Sequence, residues 1–202
     1  MSTPAETPTP ERTKFQQWLT DLPLTPNQIS IAGLIGNIVA AVLIWQEHFV
    51  LGGVAFILGS VMDTLDGRYS RMSGKGTTFG AFLDSTLDRI EEGIVLTAVV
   101  MVYAKHGDDI NAGIAALAAV SSLLVSYTRA RAEGLGLDGK AGFGSRAVRV
   151  VILSIGLVLG EGELIDGLNL LDASIWVLAA LGVLTTVQRM WHVRSQLNAP
   201  RG

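Results

Sequence analysis

Four aspartates lie at helical spacing inside or beside long apolar segments of this chain. Asp63 and Asp66 are three residues apart and Asp84 and Asp88 are four apart, so each pair lies on one face of its helix. Because a charge at bilayer depth costs roughly 3 kcal/mol on insertion scales, intramembrane carboxylates usually serve a function. A divalent cation would relieve the repulsion within each pair, and oxygen ligands favour Mg²⁺ or Mn²⁺ over Zn²⁺. The spacing therefore predicts a metal centre, in which two ions would hold a diphosphate.

A basic, glycine-rich turn, residues 71–80, connects the two carboxylate pairs. Helices joined by a short turn pack as antiparallel neighbours, so we expect the two pairs to face one another. The alternative is a charge-paired structural core, with the aspartates neutralised by Arg68, Arg71 and Arg89. Since apolar residues often replace buried ion pairs without loss of stability, the functional interpretation is favoured.

Three further charged residues follow Asp88 on the same predicted helix. Arg89 lies about 100° around the helix from Asp88, and we expect it to be a structural partner. Glu91 and Glu92 are predicted to form a solvated polar stripe or to support the site from behind its ligands. A direct part in the site is the less favoured interpretation of these two glutamates.

The composition indicates an all-α integral membrane protein. Of 202 residues, 49% are hydrophobic and 16% are charged, and the mean hydropathy is +0.43. The absence of cysteine excludes disulfides, thiolate metal sites and a cysteine nucleophile. A bilayer core of about 30 Å requires a helix of about 20 residues. Six transmembrane helices are predicted, at residues 27–46, 49–72, 78–104, 111–133, 146–162 and 171–193.

The N-terminal segment differs in character from the spans. Residues 1–12 are rich in Pro, Thr and Glu and lack the apolar region of a signal peptide, which predicts a disordered tail. A short amphipathic interfacial helix is predicted from Arg12 to Leu22, where apolar residues recur at helical spacing. A segment packed on the bundle explains the same pattern. Residues 13–195 are predicted to form the membrane domain and 196–202 a C-terminal tail.

The distribution of charge predicts the orientation of the bundle. If the first span leaves the cytoplasm, all 15 lysines and arginines except Lys105 lie on the cytoplasmic side, as the positive-inside rule requires. The outer loops are acidic instead, with Glu47, Asp108, Asp109, Glu161, Glu163, Asp166 and Asp172. We therefore expect a multi-pass protein of the cell membrane whose site faces the cytoplasm.

The pattern Asp63-x2-Asp66-Gly67-x2-Ser70-Arg71-x8-Gly80-x3-Asp84-x3-Asp88 resembles the signature of the CDP-alcohol phosphotransferases, also called CDP-alcohol phosphatidyltransferases. Every spacing agrees, and the one departure is Ser70, where the family usually carries Ala. The resemblance covers nearly all of residues 13–195, including the six helices and the Thr25-Pro26-Asn27 start of the first one. It implies a membrane enzyme that transfers a phosphatidyl group from CDP-diacylglycerol (CDP-DAG) to an alcohol and releases CMP.

The resemblance also implies roles for individual residues. Two Mg²⁺ or Mn²⁺ ions would be held by Asp63, Asp66, Asp84 and Asp88. Asp88 would also be the general base on the acceptor hydroxyl. The CDP-lipid would be bound by Asn27, Gly67, Arg71, Thr77 and Gly80. In that set Arg71 binds the diphosphate and the glycines let the cytidine approach the backbone. The family resemblance further implies a homodimer.

A second basic set lies on the last three predicted spans and suits an acceptor that already carries a phosphate. Positive-inside bias alone explains any single arginine of the set. Residues 126–136, 142–149 and 187–189 resemble actinobacterial phosphatidylinositol phosphate synthases. This resemblance, with the basic set as a whole, assigns the acceptor phosphate to Arg129, Arg146, Arg149 and Arg189. Ser145 and Val148 stand where that subfamily has Glu, so we expect Arg146 and Arg149 to be less firmly oriented.

Inositol 1-phosphate, giving phosphatidylinositol phosphate, is the expected acceptor, and glycerol 3-phosphate, giving phosphatidylglycerophosphate, is the alternative. The expected partners are CDP-DAG, a phosphorylated polyol and the lipid bilayer, with no nucleic acid. A divalent-cation or proton-coupled transporter would spread its carboxylates across the membrane, whereas these cluster toward one face. A structural membrane scaffold leaves the carboxylates unexplained.

Overall fold

In the computed structural model, residues 25–73, 76–160, 163–165 and 168–198 are described, with backbone alone for residues 66, 68, 71–73, 163–165 and 168. The predicted tail 1–12 and amphipathic helix lie outside the described residues, as do Lys75 and residues 199–202. The helices are α1 (Pro26–Trp45), α2 (Phe49–Ser73), α3 (Thr78–Lys105), α4 (Asp109–Gly134), α5 (Arg146–Leu159) and α6 (Leu170–Asn198). Between α5 and α6, β1 (Glu163–Ile165) pairs antiparallel with β2 (Leu168–Asn169).

Local sequence signals fix where these helices begin. The Thr25 hydroxyl accepts a hydrogen bond from the Gln28 backbone N–H, the Gln28 side chain accepts one from the Thr25 N–H, and Pro26 occupies the first turn of α1. Thr77 caps α3 by accepting from the Gly80 N–H at 2.9 Å. Both caps lie at the end of the bundle where the signature residues are found.

The helix–helix contacts follow a closed cycle, in which α1 packs on α2, α2 on α5, α5 on α6, α6 on α4, α4 on α3 and α3 on α1. The predicted pairing of α2 with α3 is therefore wrong over most of their length, because α1 packs between them and their direct contacts are few. Glycines permit the close fit of α1 against α2. At Gly33 a Cβ atom would lie 2.2 Å from the Asp63 Oδ1 atom, so a side chain there would collide with a predicted metal ligand.

The all-helical fold class is confirmed, but six transmembrane helices are not. By length and composition, three described helices can cross a membrane (α1, α4 and α6), and α2 contributes a shorter apolar stretch, Phe49–Leu65. The site's own charges lower the hydropathy of the second half of α2 and the first half of α3. Helix α5 has 14 residues, or about 21 Å, which is shorter than the predicted span 146–162.

A separate polar cluster lies at the end of the bundle away from the signature residues. The Tyr103 hydroxyl donates to the Asp172 Oδ1 atom at 2.6 Å, and both side chains are buried. Glu47, in the α1–α2 connection, pairs with Lys105 and lies 3.2 Å from His106 Nε2. Hydrogen bonds from these two side chains hold the pKa of the exposed Glu47 carboxyl below its ordinary value.

Candidate active site

An acidic cluster forms where α2 and α3 come closest. Asp63, Asp88 and Glu91 each place one carboxylate oxygen within 4.8 Å of the others. Asp63 and Glu91 are buried, and the Asp88 side chain is 22% exposed. Carboxylates this close repel one another and lose the solvation that water would give their charge, so a cation between them is stabilising.

Arg146, the first residue of α5, reaches into this cluster. Its Nη2 atom donates to Asp63 Oδ2 at 2.7 Å and to Glu91 Oε2 at 3.0 Å, and its Nη1 atom lies 2.6 Å from Asp88 Oδ1. One guanidinium therefore contacts all three carboxylates. Helix α5 brings it there by packing on α2.

The described side chains of the predicted metal ligands lie in two different locations. Asp63 and Asp88 meet in the acidic cluster together with Glu91, which was not among the predicted ligands. Asp84, one turn before Asp88 on α3, lines a neighbouring cavity of about 190 Å³. The side chain of Asp66 lies outside the described residues. The cluster's three oxygen ligands fit a hard divalent cation, and the Glu91 Oε1 atom is buried with no hydrogen-bond partner among the described residues.

The 190 Å³ cavity, called here the nucleotide cavity, brings together most of the predicted CDP-lipid residues. It is lined by Pro26, Asn27, Ser30, Gly67, Ser70, Thr77, Gly80, Ala81 and Asp84. A Cβ atom on Gly80 would lie 3.0 Å from Asn27 Oδ1 and 3.1 Å from Thr77 Oγ1, which is tighter than ordinary contact. The glycine is thus required by the close approach of α1 and the α3 cap, and its lack of a side chain leaves the cavity open. The side chain of Arg71 lies outside the described residues.

A second cavity, of about 140 Å³, lies on the other side of Asp88, and we call it the arginine cavity. Its lining includes all four arginines predicted to bind the acceptor, together with Arg89: Arg89, Arg129, Arg146, Arg149 and Arg189. Asp88 and Glu92 are the acidic residues of its described lining. Positive charge is therefore in excess, which suits an anion such as a phosphate.

Buried contacts hold two of these arginines in place. The Arg149 guanidinium, 2% exposed, donates to both Glu92 oxygens at 2.6 and 2.7 Å and to the Gly144 carbonyl at 2.6 Å. Arg189 donates to the Ala141 carbonyl at 2.8 Å and to the Val125 carbonyl.

Arg146 and Arg149 both have acidic partners, although Ser145 and Val148 stand where the subfamily has Glu, and their looser orientation relative to that subfamily stays a prediction. Their acidic partners come from α3, as Glu91 and Glu92, rather than from positions 145 and 148 of their own segment. Both glutamates are buried, so the predicted solvated stripe is wrong. Glu92 pairs with Arg149, whereas Glu91 joins the acidic cluster, which is the direct part that the sequence favoured less. The sequence signal for both positions was the pair of acids one turn beyond Asp88. Arg89 donates to the Ser85 carbonyl of its own helix, as expected for a structural partner.

Comparison with known proteins places this site in a family. Residues 23–191 match the CDP-alcohol phosphatidyltransferase family. The chain belongs to that family. The family prediction from the aspartate signature is thereby confirmed, the chain is a transferase of this type, and the transporter and scaffold hypotheses are set aside.

Two relatives of this CDP-alcohol phosphatidyltransferase are named as inositol phosphate synthases. The chain is 34% identical to the phosphatidylinositol phosphate synthase of Mycobacteroides abscessus over 87% of its own length and 80% of the relative's. It is 36% identical to the archaetidylinositol phosphate synthase of Methanothermobacter thermautotrophicus, over 86% and 85%. The two relatives differ in the lipid part of their names and share the inositol phosphate part.

Solved structures support the same assignment. The phosphatidylinositol phosphate synthase of Mycobacterium tuberculosis with CDP-DAG bound has a TM-score of 0.81 and 30% identity to this chain, with 93% of this chain and 96% of that one covered. A second structure of that enzyme, in complex with manganese and citrate, also has a TM-score of 0.81 and 30% identity, covering 93% and 92%.

Proposed function

We propose that this enzyme transfers a phosphatidyl group from CDP-DAG to inositol 1-phosphate, releasing CMP, and that it requires Mg²⁺ or Mn²⁺. One observation carries the proposal: Asp88 and Arg146 belong both to the acidic cluster and to the lining of the arginine cavity. An acceptor whose phosphate is held by the arginines therefore has its hydroxyl group beside a carboxylate. The names of both relatives, which share inositol phosphate, favour this acceptor.

The nucleotide cavity is proposed to hold the cytidine end of CDP-DAG. Gly67 and Gly80 leave room for the nucleotide against the backbone, while Asn27 and Thr77 supply polar groups at its walls. Arg71, which follows this cavity on α2, is proposed to bind the diphosphate. The M. tuberculosis structure with CDP-DAG bound supports the assignment of the substrate.

Asp63, Asp66, Asp84 and Asp88 are proposed to hold two divalent ions. The manganese complex of the M. tuberculosis enzyme supports this, as does the set of clustered oxygen ligands in this chain. When bound, the ions neutralise the diphosphate and stabilise the charge that develops on the departing CMP.

Asp88 is proposed to act as the general base. It accepts the proton of the acceptor hydroxyl as that oxygen forms a bond to the phosphorus carrying diacylglycerol, and the bond from this phosphorus to the CMP oxygen breaks. Base catalysis of this kind typically contributes a factor of about 10²–10⁴ to the rate. The arginine cavity fixes the acceptor phosphate, so the hydroxyl group is oriented before the proton moves.

An apolar groove of about 600 Å³ between α2 and α5 offers a place for an acyl chain. It begins at Arg146, in the site, and continues along Ile57 and Val61 of α2 and Val150 and Ile155 of α5. A lipid whose diphosphate lies at the acidic cluster would have its chains directed along this groove into the bilayer.

The six membrane spans and the cytoplasmic position of the site are also proposed. The membrane-length helices α1, α4 and α6 and the charge asymmetry of the connections support them. Since the chain has no cysteine, single cysteines at Lys105 and Lys140, both exposed, can be labelled in intact cells with a membrane-impermeant maleimide. We expect labelling at residue 105 and not at residue 140, and the reverse pattern would contradict the proposed orientation. The homodimer stays a prediction, to be checked from the mass of the detergent-solubilised protein.

The proposed reaction is tested with purified protein, labelled CDP-DAG, Mg²⁺ or Mn²⁺, and a panel of acceptors. We expect CMP release that depends on inositol 1-phosphate and on the metal. Release that depends on glycerol 3-phosphate instead would identify a phosphatidylglycerophosphate synthase and contradict the inositol assignment. Archaetidyl and diacyl forms of the CDP-lipid, compared in the same assay, determine the lipid class.

A further inference from the structure

The Arg146 guanidinium occupies the place of a cation in the acidic cluster. Its two terminal nitrogens lie 2.7 Å from Asp63 Oδ2 and 2.6 Å from Asp88 Oδ1. These carboxylates belong to the proposed metal ligands. A dication bound between Asp63 and Asp88 and a guanidinium hydrogen-bonded to both compete for the same charge, and the dication also repels the guanidinium at short range.

Two buried polar atoms of this arrangement lack a hydrogen-bond partner among the described residues. They are the Arg146 Nε atom and the Glu91 Oε1 atom. Buried polar groups are rarely left in this condition, and each one needs an explanation. A metal ion or an anion in this place would provide a partner for one or both of them.

Arg146 differs in its contacts from the other arginines of the same cavity. Arg149 is held by Glu92 and a backbone carbonyl, and Arg189 by two backbone carbonyls. Arg129 pairs with the exposed Glu133, and Arg89 donates to the Ser85 carbonyl of its own helix. Arg146 lines the same cavity but donates to the acidic cluster. Among the described lining arginines, Arg146 is the one whose guanidinium both lines the arginine cavity and hydrogen-bonds to the acidic cluster.

We propose that Arg146 couples metal binding to acceptor binding. Without metal it neutralises Asp63 and Asp88. When a metal takes those carboxylates, the guanidinium turns toward the arginine cavity, keeps Glu91 as its counter-ion and binds the acceptor phosphate. Arg146 then acts as a positioning residue, and each ligand raises the affinity for the other by the same factor. This inference rests on the proposed function, because it concerns the same metal and the same acceptor.

The test measures binding rather than turnover. Mn²⁺ binding to the detergent-solubilised full chain is followed by the electron paramagnetic resonance of free Mn²⁺, and inositol 1-phosphate binding by calorimetry, each with and without the other ligand. We expect at least a fivefold mutual increase in affinity, within the usual range of allosteric coupling. If both ligands bind wild-type protein and their affinities are independent, the inference is wrong while the proposed function stands. If wild-type protein does not bind Mn²⁺ or inositol 1-phosphate, the proposed function fails as well.

Arg146→Gln removes the competing cation. In this variant Mn²⁺ should bind more tightly than to wild type in the absence of acceptor, and the coupling factor should fall toward one. Arg129→Gln is the matched control, since it removes the same charge from the same cavity without touching the cluster. It should weaken acceptor binding, leave Mn²⁺ affinity unchanged and keep the coupling. Equal behaviour of the two variants would refute the role of Arg146.

A double variant, Glu91→Gln with Arg146→Gln, covers the case in which the single variant fails to fold. It removes one buried anion together with the cation, so the net charge of the cluster is the same as in wild type. We expect a coupling factor near one in this double variant, whatever the loss of the Glu91 carboxylate does to the Mn²⁺ affinity itself. Retained coupling in the double variant would overturn the inference.

Discussion

The two cavities near the acidic cluster are lined by different types of residue. The nucleotide cavity is formed by small residues and helix caps, and Asp84 is the charged residue of its described lining. The arginine cavity is formed by long cationic side chains, of which the most buried is fixed by a carboxylate from another helix. If they bind the two substrates as proposed, the first selects its ligand by the space it leaves and the second by charge. Asp88 lines the second cavity and lies one turn from Asp84, which lines the first, so the proposed base would lie between the two binding sites.

The largest effect is expected from a change at Asp88, which lines the arginine cavity and lies one turn from Asp84 of the nucleotide cavity. Asp88→Asn should lower kcat by a factor of about 10²–10⁴, because the amide cannot accept the acceptor's proton. The variant should still be extracted as folded protein. The exposed Asp109, at the far end of the bundle, provides the control Asp109→Asn, which should retain wild-type kcat. A kcat for Asp88→Asn within a factor of ten of wild type would show that Asp88 is not the base.

Gly80→Ala tests the nucleotide cavity by filling it. The new Cβ would press on Asn27 and Thr77, and overpacking of this kind costs about 1–3 kcal/mol. The methyl group also takes space from the proposed nucleotide site, so we expect the KM for CDP-DAG to rise while the KM for the acceptor stays constant. Gly113→Ala is the control, because a Cβ at Gly113 meets nothing within 4 Å in the described structure. An equal rise in both KM values would mean that the two cavities are not separate binding sites.

Arg129→Gln tests the arginine cavity by removing charge. Its side chain is 47% exposed, so folding should be preserved, and the loss of one charge-assisted hydrogen bond of about 1.5 kcal/mol should raise the acceptor KM about tenfold. The KM for CDP-DAG should not change. Arg131→Gln, on the same helix but outside the described lining of the cavity, should leave both values unchanged. If Arg131→Gln has the same effect as Arg129→Gln, the response reflects general surface charge and not the cavity.

Tyr103→Phe should affect neither cavity. It deletes the hydroxyl that donates to the buried Asp172 carboxylate, which costs about 1–3 kcal/mol of unfolding free energy. We expect denaturant unfolding at a lower midpoint and unchanged KM values for both substrates. The exposed Tyr127 serves as the control, and Tyr127→Phe should unfold like wild type. A changed acceptor KM in Tyr103→Phe would show that the far cluster is coupled to the site.

Much of the fold was predictable because helices obey local rules. The start and end of α2 and α3 agree with the apolar segments within one residue, since the polar, glycine-rich sequence after Ser73 and the Thr77 cap interrupt the apolar pattern. Helix α6 instead runs to Asn198, so residues 196–198 of the predicted C-terminal tail continue the helix. The span predicted at 146–162 overruns α5, which ends at Leu159 with Gly160 as its C-cap, because hydropathy averaged over a segment does not show at which residue a helix stops. The order of packing, with α1 between α2 and α3, was not predictable from the length of the connecting turn.

The sequence by itself determined the aspartate signature, the family and the set of arginines that line one cavity, because each rests on spacing along one segment or on residue type. Only the tertiary structure decided that Arg146 enters the acidic cluster and that Glu92 holds Arg149, since these partners are 55–83 residues apart. Helical periodicity fixes which side chains share a face, but it does not fix which helices meet. That depends on the close packing of residues such as Gly33 against Asp63, where a single methyl group on α1 would collide with a proposed metal ligand.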